Sequence, residues 1–135
     1  MTPVEAVTVW VERWRALRAW GRPLEEARVV VLPHTGRGAN GTAWPCAREI
    51  RVKAGHDIPD ALDTVLHEYA HLAAPGGEHH GPRWRRIYSA AITEVTGIPL
   101  DAESWTYQDA RSTGMHYVRA WWRQSGLEAL WEVAR

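Results

Sequence analysis

The chain has 135 residues, 45% of them hydrophobic and 24% charged, which fits one globular domain and excludes a disordered chain or two ordinary domains. Sixteen Lys and Arg against sixteen Asp and Glu give a formal net charge of zero, so no strongly basic nucleic-acid-binding tail is expected. A single cysteine, Cys46, excludes an internal disulfide and a cysteine-rich zinc ribbon.

The opening Met-Thr-Pro-Val-Glu has no basic stretch followed by an apolar run, and no apolar run approaches about 18 residues. A soluble cytoplasmic protein with no membrane partner is expected. Nine Trp occur with no Phe, and we expect them chiefly to fill core positions.

Residues 2–20 predict a helix whose start is written out: Thr2 as N-cap, Pro3 as first helical residue and Glu5 completing a capping box. Val4, Val7, Val11, Trp14 and Leu17 recur at spacings of three and four and form its apolar stripe. Gly21 and Pro23 end it. Residues 28–32 are short and β-branched and predict a strand closed by Pro33. Gly36 to Gly41 reads as a turn, and residues 42–44 and 48–53 as two further strands. Ile50 and Val52 alternate with Arg51 and Lys53, the pattern of a half-buried strand. Pro45 marks residues 42–44 as an edge or bulge, and this edge is the expected pairing strand for an extended substrate.

From Pro59 the period becomes helical. Leu62, Val65, Leu66, Tyr69 and Ala73 share one face, and Pro75-Gly76-Gly77 stops the helix. A further helix is predicted from Gly81-Pro82 to Gly97, with Trp84, Ile87, Tyr88, Ala91, Ile92 and Val95 inward. After Pro99 the tail reads as helical in two or three pieces, with a second capping box at Ser125 and Glu128.

His67-Glu68-Tyr69-Ala70-His71 is an H-E-x-x-H motif inside the predicted helix. A spacing of four sets both imidazoles one turn apart on the same face, opposite the apolar stripe, where they can reach one metal ion. Glu68 is turned by about 100° and suits a carboxylate beside a metal-bound water. Such a metal lowers the pKa of its water to around 7, and the carboxylate takes the proton as the water attacks a carbonyl. A catalytic zinc takes three protein ligands, and His79-His80 lies just ahead of the next helix, well placed to fold back as the third.

With His80-Gly81-x-x-Trp84 following His67-Glu68-x-x-His71, the sequence resembles the SprT-like (Spartan-type) zinc metalloproteases over about residues 3–96. The resemblance implies an α+β, zincin-like fold: an N-terminal helix, a small three-stranded antiparallel sheet, the H-E-x-x-H metal helix, a second ligand-bearing helix and a helical C-terminal tail. It implies Zn²⁺ held by His67, His71 and His80, Glu68 as general base, and Trp84 as the anchor of the third ligand's helix. Residues 1–98 would form the catalytic core and 99–135 an extension packed on it. The expected activity is hydrolysis of peptide bonds in a protein or peptide substrate by a zinc-bound water that Glu68 activates. The alternative is a non-catalytic zinc-stabilised module that binds DNA or protein, although neutral charge does not point to DNA.

The departures are specific. No cysteine-rich ribbon can form, no DNA- or partner-binding segment is visible, and Ala74 and Gly77 stand where the metzincin extension needs Gly and His. His79 competes with His80 as third ligand, and Glu94 is the helical candidate for a gluzincin-type site. Tyr88, Tyr107, His116 and Tyr117 are candidate oxyanion donors that no spacing separates. Cys46 reads as a small apolar residue. Arg83, Arg85 and Arg86 read as a solvated helix face. Trp121, Trp122 and Trp131 read as a packing cap or a partner surface.

Overall fold

The computed structural model describes residues 2–33, 40–55, 57–76 and 79–127. Helix α1 spans Pro3–Trp14 and opens with the predicted capping box: Thr2 Oγ1 accepts from the Glu5 amide at 3.1 Å, and the Glu5 carboxylate accepts from the Thr2 amide at 3.4 Å. It buries Ala6, Val7, Val11 and Trp14.

The helix ends six residues earlier than its periodicity predicts. Beyond Trp14, tertiary partners take over the backbone groups that helix bonds would use. Arg15 donates to the carbonyls of Leu24 and Ala27 at 3.0 and 2.7 Å. The Glu94 carboxylate accepts from the amides of Arg18 and Ala19, both at 3.0 Å. The segment therefore closes as a 3₁₀ turn at Arg18–Trp20, finished by Gly21 at φ +82°.

Strands β1 (Arg28–Pro33), β2 (Gly41–Trp44) and β3 (Glu49–Ala54) lie close to their predicted positions. The sheet is mixed, not antiparallel as expected. Its order is β1-β3-β2, with β1 parallel to β3 and β2 antiparallel to it. A 3₁₀ turn at Pro45–Ala47 folds β3 back between the other two strands. The connection from Pro33 to Gly41 must then span two strand spacings, about 10 Å, instead of forming a hairpin. Central β3 buries Ile50, Val52 and Ala54 on its core face. Strand β2 is the expected edge, paired to β3 alone.

Helix α2 (Ile58–Ala73) begins at Asp57, whose carboxylate accepts from the Asp60 amide at 3.2 Å. Eleven of its 16 residues are buried, so it is not the one-sided helix its apolar stripe predicts. The sheet, α1 and the two helices that follow all pack against it. Tyr69 donates to the Val11 carbonyl at 2.9 Å and ties α2 to α1. Full burial of Leu62, Val65 and Leu66 contributes about 1.5–3 kcal/mol each.

Helix α3 (Pro82–Thr96) matches its predicted limits and is closed by Gly97 at φ +74°. The tail forms one helix where two or three pieces were expected: α4, Tyr107–Gln124, capped by Thr106. Gly114 lets α4 approach α3, since a Cβ there would strike the Tyr88 hydroxyl. Ser125 caps the C-terminus of α4; Glu128 of the expected capping box and Trp131 lie outside the described residues, as does Gly77. Trp14, Trp20, Trp84 and Trp122 are buried as expected, whereas Trp44 and Trp105 are exposed. Among the described residues no helix is long and apolar enough to cross a membrane.

Candidate metal centre

Helix α2 presents His67 and His71 one turn apart, and the turn before α3 brings His80 between them. The Nε2 atoms of His71 and His80 are 3.0 Å apart, and those of His80 and His67 are 3.1 Å apart. Nitrogen lone pairs aimed at one another repel unless a proton or a cation lies between them. A tetrahedral ion with nitrogen ligands at about 2.0–2.1 Å would set them roughly 3.3–3.4 Å apart, so a slight expansion accommodates one. The three histidines are therefore close enough to hold a metal ion together. His79 is outside this set: its ring stacks on His71 at 5.0 Å and 11°, at the wall of the cleft.

Several contacts fix the third histidine. His80 adopts φ +55°, in the left-handed region that a non-glycine residue enters at a cost. Arg85 donates to the His80 carbonyl at 2.8 Å and to the Glu103 carbonyl at 2.9 and 3.1 Å. Arg85 is thus a clasp on this turn and not part of the solvated face that Arg83 and Arg86 form. Tyr107 lies flat on the His80 ring, 3.8 Å away and tilted by 9°. Buried Trp84 donates to the His67 carbonyl at 3.3 Å and stacks on Tyr88.

Glu68 is 4% exposed, and its Oε1 lies 3.5 Å from His67 Nε2. Its Oε2 is buried with no protein partner. Burial raises the carboxyl from 4.5 to about 7, partly offset by the charge of Arg111. Burial likewise lowers His67 to about 2, and His71 and His80 to about 4 each, with neighbouring histidines adding to the effect. The rings are thus neutral, as metal ligands must be, throughout the neutral range.

The histidines and Glu68 open onto a cleft of about 530 Å³. Its far wall is the end of β2, from Asn40 to Ala43, and its rim includes Thr64, Tyr107 and Arg111. Of the candidate oxyanion donors, Tyr107 alone lines this cleft. Tyr88 is buried and spends its hydroxyl on Asp63, while His116 and Tyr117 lie elsewhere on α4. Glu94 is the cap of the 3₁₀ turn at Arg18–Trp20, away from the histidines. Cys46 is exposed. Arg111, which no sequence motif singles out, reaches the cleft because α4 packs across α2; the spacing Tyr107-x-x-x-Arg111 is its only sequence-level signal.

No protein-family model matches the chain, and neither a curated protein nor a solved structure matches it.

Proposed function

We propose that the chain is a cytoplasmic zinc metallopeptidase with a SprT-like, zincin-type core, hydrolysing peptide bonds in a protein or peptide substrate. The reading rests on one observation: three imidazole Nε2 atoms converge with the Glu68 carboxylate beside them. His67, His71 and His80 would hold the ion. Zinc bound by them supplies a Lewis acid that polarises a carbonyl and brings the pKa of water to about 7.

The remaining work falls to the chain's own residues. Glu68, held near neutral in its proton affinity by burial, takes a proton from the attacking water and passes it to the leaving amine. Strand β2 has a free edge and its residues line the cleft, which suits an extended peptide bound through backbone hydrogen bonds. A non-catalytic zinc-stabilised module for DNA or protein has no use for a buried carboxylate without a protein partner next to its ligands. Glu68 therefore favours the enzyme.

Zinc content per chain and casein hydrolysis, measured on the same preparations, test the reading. Wild type should hold about one zinc, and His80→Ala should lose it. Glu68→Gln should keep the zinc and lose hydrolysis by about 10²–10⁴-fold. A Glu68→Gln protein that cleaves as fast as wild type sinks the mechanism, and a wild-type protein that takes up no zinc sinks the class.

A further inference from the structure

Arg111 stands apart from the other arginines near the core. Arg15, Arg48 and Arg119 each pair with a carboxylate, on Glu12, Glu26 and Asp57. Arg111 is half-buried in the cleft wall and makes no ion pair among the described residues. Its one described hydrogen bond goes to the Tyr107 hydroxyl at 3.5 Å. Asp63 and Glu68 feel its charge, but Asp63 Oδ1 accepts from Tyr88 and no Asp63 oxygen meets the guanidinium. Withdrawing a cation from water without a counter-ion is costly, so this position favours a negative ligand.

The direction of the Arg111–Tyr107 contact adds to this. A guanidinium can only donate, so the phenol oxygen accepts and its O–H proton remains free for a further acceptor. Stacking on His80 holds the Tyr107 ring beside the three histidines, 5.9 Å from the His67 ring.

We infer that Tyr107 and Arg111, one turn apart on α4, form an anion-receiving subsite next to the three-histidine centre, built for a carboxylate or a tetrahedral oxyanion. Charge-assisted donors in a partly dry cleft are the usual means of binding such groups. Two sources supply that chemistry: the oxygen that becomes negative as a carbonyl is attacked, or a carboxylate already present on the substrate. The link to catalysis rests on the peptidase reading; the anion subsite itself does not.

The test titrates the ¹⁵N-labelled full chain, metal-free and zinc-loaded, with phenylphosphonate and with N-acetylglycine. Perturbed resonances at Tyr107, Arg111 and His80 are expected in wild type. Arg111→Gln should weaken phenylphosphonate binding by about tenfold, and Tyr107→Phe and Arg111→Lys by a smaller factor. Phosphonate binding that tightens when zinc is added assigns the subsite to the reacting oxygen. A preference for N-acetylglycine that is indifferent to zinc assigns it to a substrate carboxylate. Perturbations confined to other residues, or equal affinity in Arg111→Gln, overturn the inference. Phosphonate binding in a chain that takes up no zinc removes the peptidase reading while supporting the subsite.

Discussion

Gly41 of β2 lies against Glu68 of α2 so closely that a Cβ on the glycine would sit 3.0 Å from Glu68 Cγ and 2.5 Å from Thr64 Cγ2. The glycine is required here for space, because the far wall of the cleft is backbone pressed onto the helix that carries the carboxylate. Gly41→Ala must push β2 outward or displace Glu68. We expect a loss of about 1–3 kcal/mol in stability and a larger proportional loss of hydrolysis than of zinc. Urea denaturation beside zinc analysis and casein cleavage checks it; an alanine variant with wild-type stability and activity contradicts the packing.

The clasp on the third histidine is separable from the histidine itself. Arg85→Ala removes the donors to the His80 and Glu103 carbonyls and frees a turn held in the left-handed region. Zinc affinity should fall by about 10–100-fold, as when a partner that orients a ligand is removed. Arg85→Lys should recover only part of it, since a single ammonium cannot reproduce the fork. The melting temperature with saturating zinc should drop more than that of the metal-free protein. Competition with a chromogenic chelator measures the affinity, and an unchanged value in Arg85→Ala would reject the clasp.

Asp63 is buried and accepts from Tyr88; burial raises its pKa from 3.8 to about 7, offset in part by the Tyr88 hydrogen bond. Since the folded value lies above the unfolded one, this group's contribution to stability is full below about pH 4 and is lost as the pH rises through 7. Asp63→Asn keeps an acceptor for Tyr88 and cannot ionise. The stability of Asp63→Asn relative to wild type should therefore grow between pH 5 and pH 8, by on the order of 2 kcal/mol. Denaturation of both metal-free proteins across that range measures the difference, and a flat difference excludes an ionising Asp63.

The histidines behave in the opposite sense. Their folded pKa values, about 2 for His67 and about 4 for His71 and His80, lie below the ordinary 6.5. Their contribution to the stability of the metal-free fold is present above pH 6.5 and is lost as the pH falls towards 4. Down to about pH 5.5 the folded rings stay neutral and ready to bind. Three histidines with ordinary values would lose roughly a thousandfold in zinc affinity between pH 7.5 and 5.5 through proton competition. Here the loss should be under about tenfold. Zinc titration at the two pH values decides between them.

Local patterning carried much of this protein. The Thr2–Glu5 capping box, the limits of α3 and the one-turn spacing of His67 and His71 follow from a 3.6-residue period and from end-capping chemistry, which act within a few residues. His80 was legible as well, because a histidine just ahead of a Gly-Pro helix start has few places to go. What the sequence by itself determined is a pair of histidines one turn apart on a helix, with a carboxylate beside them and further histidines at the next helix start. Tertiary packing decided the rest. It placed β3 between β1 and β2, ended α1 early by giving its backbone amides to Glu94, and buried Glu68 under Gly41. It also laid α4 across α2, so that Tyr107 covers His80 and Arg111 faces the cleft. These contacts join residues far apart in the chain, and their geometry depends on which faces exclude water together, a property of the assembled core that no local period encodes.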